Sequence, residues 1–430
     1  MVEKKVLFAA IAIIVVIVAI VAGYFAYQAL QPTPVEIKEV RVGVLLPLTG
    51  PAAHEGWLAR HAIELAIDNI NNKGGVKSLG GIKLVPLIAD TAGKPETGIA
   101  EAIRLITVEK VHVLTGCYQS AITFPVAGEV EKHGIPFMVA DAISGKITEQ
   151  GYKYIFRIHG KAAWYGRDAV QSLIDLNNLK HTDYKTIGLV YEDDEFGKSS
   201  ADGFKSYLTE LAPSYTVVFE ESYPLAAADL TPLVTKLKAA NPDMVLHVAY
   251  ATDAILFMRT MKTLGWCPKV YMGLGAAGQS IPDFVSGLGK DAEFVLTQTE
   301  WQPDLLLSPK LKDFAWINDE FKIRVGSDMS GIPADCYSST WTLYYGIEKA
   351  GSLDPDKIKD ALAFMVIELP STEVSIILPY DKIDLTKEGQ NPYTAICTAQ
   401  VIDGKYRIVW PVKYATMEPE WPAPDWEHRP

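Results

Sequence analysis

Two polar segments follow buried-strand patterns and could bind a small solute. In an open parallel sheet, ligands lie beyond the carboxyl ends of the strands, so the residues just after each strand are candidates. Ser120 follows the run VHVLTG and begins a helical pattern, where its hydroxyl, its backbone N–H and the positive helix end suit a carboxylate. An ordinary N-cap serine is the alternative. Asp141 and Ser144 belong to the segment ADAIS, at the end of the next strand pattern, where Asp141 would otherwise cap a turn.

Catalytic and nucleotide-binding motifs are weak in this sequence. GLGAAG, residues 273–278, fits G-x-G-x-x-G after a strand, but Pro282 interrupts the long helix that a dinucleotide motif must open. His54 and His61 could share a helix face, but no H-E-x-x-H pattern accompanies them, and no serine lies in a G-x-S-x-G turn. We therefore expect no enzymatic activity, no cofactor and no metal site.

The length, the net charge and the cysteine content restrict the classes of protein to which the chain can belong. The 430 residues include 40 Lys and Arg against 52 Asp and Glu, and the net charge of −12 argues against a nucleic-acid partner. The length predicts two lobes rather than one small core. Four dispersed cysteines form no C-x-x-C pair, and two disulfides or four free thiols are equally compatible with Cys117, Cys267, Cys336 and Cys397.

The N-terminal segment predicts a membrane anchor. Residues 6–30 carry no charge, and about 20 apolar residues span a bilayer. A cleaved secretory signal is the competing interpretation, although its apolar region is only about 7 to 15 residues long. Lys4 and Lys5 favour a cytoplasmic tip at 1–5, so the chain beyond the linker at 31–39 should lie outside the cytoplasm.

The remaining chain alternates strand and helix patterns. Strand patterns at 40–48 and 82–90 flank a helical pattern at 57–71, and helices at 95–109 and 121–133 continue the alternation. Repeated βαβ units predict an α/β fold with doubly wound parallel sheets and right-handed crossovers.

The alternation restarts at residue 186 and predicts a second, similar lobe. The strand patterns TIGLVYEDD and MVLHVAY alternate with helical patterns at 197–211 and 230–240. A hairpin turning at Asp403 and Gly404 precedes a proline-rich tail at 415–430. Further helices are predicted at 310–325, 334–351 and 355–364.

Five segments, in order, carry a resemblance to a known family. The run LLPLTGPAAHEGWLARHAIELAIDNINNKGG resembles the opening of type I periplasmic binding proteins, the branched-chain (Leu/Ile/Val) amino acid binding family of ABC importers. The matching segments that follow are LTGCYQSAITFPVAGEVEKHGIPFMVADAIS, YIFRIHG, IGLVYEDDEFGKS and VYMGLGAAG. The similarity covers residues 40–412 and implies two doubly wound lobes around a solute cleft, joined by crossovers near 157–162, 298–303 and 370–392.

The resemblance implies a division of the chain and a function. Lobe 1 would comprise residues 40–158 and 300–372, and lobe 2 residues 159–299 and 390–414. The implied protein is a monomeric substrate-binding component of an ABC transporter, which delivers a small solute to a permease served by separate ATPase subunits. Two other classes stay open, a ligand-sensing subunit that regulates a partner membrane protein and an extracellular hydrolase on a related scaffold.

The resemblance also implies roles for particular residues. Ser120 matches the serine that holds the ligand carboxylate, and Asp141, Ala142, Ile143 and Ser144 match a second carboxylate-holding loop. Ile143 replaces a threonine of that loop, so one carboxylate contact is lost, although Ser144 could take its place.

Acidic partners for a substrate ammonium are missing at the family positions. Gly275 stands where the family has an acidic residue, and Ala162 replaces a second one. An unpaired buried ammonium would cost several kcal/mol, so Asp141 and Glu55, which we place in the first loop, are candidates to replace the lost charge. The alternative for Glu55 is a glutamate in an exposed loop that does not contact the solute, which is the commoner situation.

Aromatic residues fall at several expected cleft positions. Tyr250 and Phe196 match positions that contact solute in the family, and ordinary core packing is the alternative for every aromatic in this group. Such a pocket suits a hydrophobic amino acid, an aromatic carboxylate or an amide. The remaining aromatic candidates are Trp57, Tyr118, Trp164 and Tyr165.

Overall fold

The computed structural model describes residues 2–30, 38–371, 373–386 and 388–429. The chain divides into two compact units, Met1–Lys38 and Glu39–Pro430. The first unit contains one helix, α1 (Val2–Leu30).

The predicted membrane anchor is not supported. Within the part of the chain that the structure describes, no helix combines the length and apolar character needed to cross a membrane. Most of the predicted linker, residues 31–37, lies outside the described residues.

The second unit alternates strands with helices, as the sequence predicts. Its strands are β1 (Glu39–Leu46), β2 (Lys83–Asp90), β3 (Val113–Gly116), β4 (Phe137–Val139), β5 (Ile155–Arg157), β6 (Thr186–Glu192), β7 (Thr216–Tyr223), β8 (Met244–Val248), β9 (Val270–Gly273), β10 (Leu296–Thr299), β11 (Val366–Glu368), β12 (Lys382–Asp384), β13 (Cys397–Ile402) and β14 (Lys405–Trp410). Its helices are α2 (Ala53–Asn72), α3 (Pro95–Thr107), α4 (Ser120–His133), α5 (Ala162–Leu179), α6 (Glu195–Leu211), α7 (Thr231–Ala240), α8 (Ala251–Thr263), α9 (Pro282–Leu288), α10 (Ala315–Val325), α11 (Gly331–Ala350) and α12 (Pro355–Ala363).

The first sheet is parallel throughout, with the strand order β2-β1-β3-β4-β5. Its side chains alternate between two apolar layers, because successive residues of a strand point to opposite faces. Val42 and Val44 belong to the core cluster that includes α2 and α11, whereas Leu45 packs with α3 and α4. Helices therefore cover both faces, which explains why the β1 pattern is a continuous apolar run.

The second sheet is mixed, with the order β14-β13-β10-β9-β8-β6-β7. Strands β6 to β10 pair in parallel, and β13 and β14 form an antiparallel edge. The predicted hairpin is confirmed, since Asp403 and Gly404 connect β13 to β14 with φ values of 52° and 68°. Two consecutive positive φ values suit the tight turns that join twisted antiparallel strands.

Each sheet with its helices forms one lobe, and the chain passes between the lobes after β5, after β10 and before β13. The first and third passages are bonded to one another. The backbone N–H of Arg157 donates to Gly389 at 2.8 Å, and that of Asn391 donates to the Arg157 carbonyl at 2.9 Å. The Arg157 Nε also donates to the Gln390 side chain at 2.6 Å. The two passages thus form one connected strap between the lobes.

Two helices begin at other residues than the sequence predicts. Helix α2 begins at Ala53 rather than at Trp57, so Glu55 lies in its first turn and not in a loop. Helix α10 begins at Ala315, because Lys312–Phe314 form a separate 3-10 turn. All four cysteines are free thiols.

Helices α5 and α6 approach so closely that their glycines have no room for a side chain. A Cβ at Gly166 would lie 2.4 Å from the backbone nitrogen of Phe204, and one at Gly203 would lie 2.7 Å from the Ala163 Cα. Both neighbours are backbone atoms and cannot move without displacing a helix. This contact fixes α6, and with it Phe196, relative to α5.

We expect Gly166→Ala to lower the free energy of unfolding by about 1 to 3 kcal/mol, because the new methyl group forces the two helices apart. Urea unfolding followed by circular dichroism measures this change. Gly128→Ala in α4 is the matched control, since its methyl group would meet only the Tyr152 hydroxyl at 3.1 Å. We expect the control to be neutral or stabilising by up to about 1 kcal/mol. Equal losses in both variants would contradict the close-packing argument.

Candidate functional site

A cavity between the two sheets lies at the carboxyl ends of β3, β4, β6, β8 and β9. Its volume is about 20 Å³, room for roughly one water molecule. Its position matches the general location of ligands in open parallel sheets. The cavity is lined by Tyr118, Ser120, Asp141, Ile143, Tyr165, Phe196, Tyr250, Gly275, Ala276 and Ala277. A larger, open groove of about 550 Å³ beside Asp304 and Tyr406 contains none of the predicted site residues.

The structure brings most of the predicted site residues to this cavity. Of the aromatic candidates, Tyr165 joins Tyr118, Phe196 and Tyr250 there. Ala276 and Ala277 were not predicted, although they directly follow Gly275 in the matched segment VYMGLGAAG. The predicted residues that do not line the cavity are Glu55, Trp57, Ala142, Ser144 and Trp164.

Ser120 is the first residue of α4 and is buried against the cavity. The N-cap position belongs to Gln119, which makes no side-chain capping bond, so the N-cap alternative for Ser120 is wrong. Instead, the Ser120 hydroxyl accepts the backbone N–H of Ser144 at 3.2 Å. A carboxylate in the cavity would meet this hydroxyl together with the positive end of α4.

The loop after β4 is held by a buried arginine that sequence reasoning missed. The Arg157 guanidinium donates to the carbonyls of Ala142 and Ser144, each at 2.9 Å. Ala142 therefore helps to hold the loop through its backbone carbonyl. Ile143 lies between the two anchored residues and lines the cavity. Burial lowers the pKa of Arg157 to about 10, so the side chain stays charged at neutral pH. The only sequence signal for this residue is its place in the matched segment YIFRIHG.

Several contacts join the two lobes across the cleft. The Ser144 hydroxyl donates to Glu195 Oε1 at 2.7 Å, and the Lys146 ammonium lies 2.8 Å from Glu195 Oε2. Glu55 Oε1 accepts the backbone N–H of Ala251, the first residue of α8, at 3.2 Å. The structure therefore shows the cleft in a closed arrangement.

Glu55 is 2% exposed, so the exposed-loop alternative for this residue is wrong. Burial raises the pKa of its carboxyl group. The neighbouring His54 forms an ion pair with Asp283 at 2.8 Å, and the hydrogen bond to Asp283 raises the pKa of His54. Both residues of α2 thus contact the opposite lobe rather than the cavity.

Three aromatic rings meet at the cavity. The centroids of Tyr118 and Tyr250 are 5.5 Å apart, and those of Phe196 and Tyr250 are 5.2 Å apart, so the cluster spans both lobes. Phe196 also occupies the space beside Gly275, where a Cβ would lie 2.9 Å from the ring. An acidic side chain at position 275 would therefore clash with Phe196 in this closed arrangement. The Tyr118 hydroxyl has no hydrogen-bond partner among the described residues.

The two tryptophans lie outside the cavity and interact with neighbouring side chains. The Trp57 ring packs against His61 at a centroid distance of 4.4 Å and stacks on His54 at 5.6 Å. The Lys161 ammonium lies 5.2 Å from the Trp164 ring, within the range of a cation–π contact. In the closed arrangement, both rings pack against side chains outside the cavity.

A cluster of buried carboxyl groups adjoins the cavity. The carboxyl group of Asp141 interacts with that of Asp335 in α11, and the two can share a hydrogen bond only when one of them is protonated. The charge of Glu300, which follows β10, raises the pKa of both. Burial is the main cause of the raised pKa of all three groups, and that of Glu300 is about 7. Asp335 and Glu300 could not be related to Asp141 from the sequence, because they lie far from it in the chain. Within the described residues, no group of three or more side chains is arranged to hold a metal ion.

Comparisons with known proteins agree with this arrangement. The sequence matches the model of a family described as periplasmic binding protein over residues 39–404. Leu/Ile/Val-binding protein homolog 7 from Brucella abortus is 28% identical over 392 residues, which cover 88% of this chain and 93% of the relative.

Two solved structures show the same fold at low sequence identity. The branched-chain amino acid transporter substrate binding protein of Streptococcus pneumoniae, in complex with isoleucine, has a TM-score of 0.74 and 19% identity and covers 87% of this chain and 100% of its own. An ABC transporter solute binding protein of R. palustris, in complex with 4-hydroxybenzoate, has a TM-score of 0.72 and 22% identity. That alignment covers 91% of this chain and 99% of the R. palustris chain.

Two α/β lobes around a closed cleft, together with these matches, define the class of the protein as a solute-binding protein. The chain belongs to the periplasmic binding protein family, and its relatives include Leu/Ile/Val-binding protein homologues. Membership of this family implies an extracytoplasmic location for the binding domain.

We expect Glu195→Ala to shift the equilibrium toward the open form by about three- to tenfold, because it removes one charged hydrogen bond and one partly exposed ion pair across the cleft. Small-angle X-ray scattering of the full chain should show a larger radius of gyration. Glu210→Ala, an exposed position on the same helix, is the control and should leave the scattering unchanged. An unchanged profile for Glu195→Ala would show that these contacts do not hold the cleft closed.

Proposed function

We propose that the chain is the extracytoplasmic substrate-binding component of an ABC importer. It binds a hydrophobic amino acid, or a related aromatic carboxylate or amide, and delivers it to a permease served by separate ATPase subunits. The observation that carries this proposal is the buried Ser120 hydroxyl at the start of α4, which lines a closed interlobe cavity together with four aromatic residues. The site thus combines a carboxylate-binding helix end with an apolar surface.

The two lobes have different roles in the proposed binding mechanism. Lobe 1, residues 40–158 and 300–372, captures the carboxylate through Ser120 and the loop after β4. Lobe 2, residues 159–299 and 390–414, then closes with Phe196 and Tyr250 over the apolar part of the solute. A permease can distinguish the loaded protein from the empty one by hinge closure only if the solute binds the closed form more tightly than the open form.

The size of the cavity requires the lobes to open before a solute can bind. Ligand pockets in proteins usually have volumes of about 300 to 1,000 Å³, whereas the closed cavity has a volume of only about 20 Å³, enough for a single water molecule. Phe196 and Tyr250 therefore have to separate from Tyr118 before a solute enters, and the rings then close on it. The clamp works as a monomer in this scheme, because both sides of the cleft come from one chain.

The ligands of the similar structures support the proposed solute class. One of those proteins holds isoleucine and the other 4-hydroxybenzoate. Both ligands combine a carboxyl group with an apolar body, which are the two chemical features that Ser120 and the aromatic cluster can recognise.

We expect Ser120→Ala to weaken solute binding at least about tenfold, because the carboxylate loses a charge-assisted hydrogen bond in a buried site. A thermal-shift screen of the full chain against hydrophobic amino acids, aromatic carboxylates and amides finds the solute, and calorimetry measures the loss. Phe196→Ala should weaken binding through the lost apolar contact. Ser206→Ala, an exposed serine on α6, is the control and should bind normally.

The same experiment separates the proposal from its alternatives. Chemical conversion of the bound solute would indicate a hydrolase, and normal binding by both Ser120→Ala and Phe196→Ala would place the site elsewhere. A sensing role would be indicated if the liganded protein failed to stimulate ATP hydrolysis by its reconstituted permease and ATPase and instead changed the activity of another membrane protein.

A further inference from the structure

Ser144 forms hydrogen bonds with three different parts of the molecule from one buried position. Its backbone N–H donates to the Ser120 hydroxyl at 3.2 Å, and its own hydroxyl donates to Glu195 Oε1 at 2.7 Å. Its carbonyl accepts a hydrogen bond from the Arg157 guanidinium at 2.9 Å. Ser144 is fully buried, so water cannot replace these partners while the cleft is closed. One residue therefore contacts the candidate carboxylate site, the opposite lobe and the strap between the lobes.

The bond from Ser144 leaves the Ser120 hydroxyl available as a donor. A serine hydroxyl carries one proton to donate and two lone pairs that accept. The Ser144 N–H occupies one lone pair, and the Ser120 proton is donated to none of the residues that the structure describes. Because Ser120 lines the cavity, this proton can be donated to an acceptor there, such as a carboxylate oxygen of a solute.

The Ser144 hydroxyl contacts lobe 2 rather than the cavity. The resemblance allows this hydroxyl to replace the carboxylate contact that Ile143 lacks, but Ser144 does not line the cavity. It bonds instead to Glu195, the first residue of α6, which also pairs with the Lys146 ammonium. A hydrogen bond to such a charged carboxylate is stronger than one between neutral groups. Opening the cleft has to break this bond.

The loop around Ser144 is held firmly on both sides. Arg157 binds the carbonyls of the residues before and after Ile143, and the Ile143 carbonyl accepts the backbone N–H of Ala162 at 2.8 Å. Ala162 is the first residue of α5 in lobe 2. Within Ser144, the amide nitrogen and the hydroxyl oxygen are joined through Cα and Cβ alone. A shift of the N–H therefore also shifts the hydroxyl relative to its partner in lobe 2.

We propose that Ser144 is a positioning residue that couples the carboxylate site at Ser120 to closure of the cleft. Its N–H leaves the Ser120 proton for the solute, and its hydroxyl joins the same loop to lobe 2 through Glu195. A solute that fixes Ser120 thereby fixes the donor that Glu195 accepts, and by reciprocity the contact with Glu195 raises the affinity for the solute. This inference rests on the proposed solute-binding function and adds to it a residue through which a bound carboxylate favours the closed form.

Ser144→Ala tests the coupling, because it removes the bond to Glu195 and leaves both backbone bonds of the residue in place. The probe is whichever of leucine, isoleucine, phenylalanine, 4-hydroxybenzoate and benzamide binds the full, unaltered chain most tightly in calorimetry. We expect the variant to bind this probe about three- to tenfold more weakly, because closure gains one hydrogen bond fewer to a charged group. Stopped-flow measurements should show the loss in the dissociation rate and an unchanged association rate, because the bond forms only when lobe 2 closes.

Three further variants assign the loss to this bond. Ser144→Thr keeps a hydroxyl and should bind the probe within about twofold of the unaltered chain. Ser144→Ala combined with Glu195→Ala should bind no more weakly than Glu195→Ala alone, because both changes remove the same bond. Ser172→Ala is the control, since this buried serine donates to the Ala169 carbonyl at 2.9 Å within α5 and should leave both rates unchanged.

The kinetic measurement separates a positioning role from a purely structural one. A structural serine would lower the free energy of unfolding of Ser144→Ala and leave the dissociation rate of the probe unchanged, and that result would overturn the proposal. Additive losses in the double variant would also overturn it, because Ser144 and Glu195 would then act independently.

A measurement without solute distinguishes this inference from the function on which it rests. Failure of every probe to bind would contradict the proposed solute class. Small-angle X-ray scattering of the full chain without a probe still tests the bond, since Ser144→Ala should increase the radius of gyration as Glu195→Ala does. A larger radius supports the role of Ser144 in closure, whereas an unchanged radius would overturn the coupling.

Discussion

Closing the cleft removes polar groups of both lobes from water, and each group must then find a partner. Most of them do so across the gap. Ser144 and Lys146 meet Glu195, and Glu55 meets the first backbone N–H of α8. Among the buried groups that have no hydrogen-bond partner within the described residues, the Tyr118 hydroxyl lines the central cavity. Glu55 and Glu195 thus help to hold the closed lobes together, whereas Tyr118 keeps an unused hydrogen-bonding group at the cavity.

The fold could be predicted from the sequence to a large extent because its signals are local. The apolar run of β1 indicates a strand that is buried on both faces, and the periodic pattern of α2 indicates a helix that is buried on one face. The turn between β13 and β14 is determined by two residues, Asp403 and Gly404. The expectation for α10 was less accurate, since the transition from a 3-10 turn to an α-helix depends on packing. The anchor expected from residues 6–30 found no support in the described part of the chain.

The site could be predicted only where it follows strand ends. Ser120, Asp141 and Gly275 each follow a strand of a parallel sheet, and the cavity contains all three. Asp335 and Glu300 were missed because one lies within a helix and the other in a passage between lobes, positions that sequence spacing does not relate to Asp141. Glu55 was placed in a loop because the first turn of α2, Ala53–Gly56, lacks the periodic large apolar residues of a helical pattern and contains Gly56, a poor helix former.

The strap formed by the first and third passages limits how the lobes can move. Arg157 bonds through its backbone to Gly389 and Asn391 and through its side chain to Gln390, so the two segments behave as one narrow ribbon. Twisting one lobe against the other would shear these bonds, whereas bending the ribbon leaves them intact. The bonded strap therefore favours a bending motion of the lobes over a twisting motion.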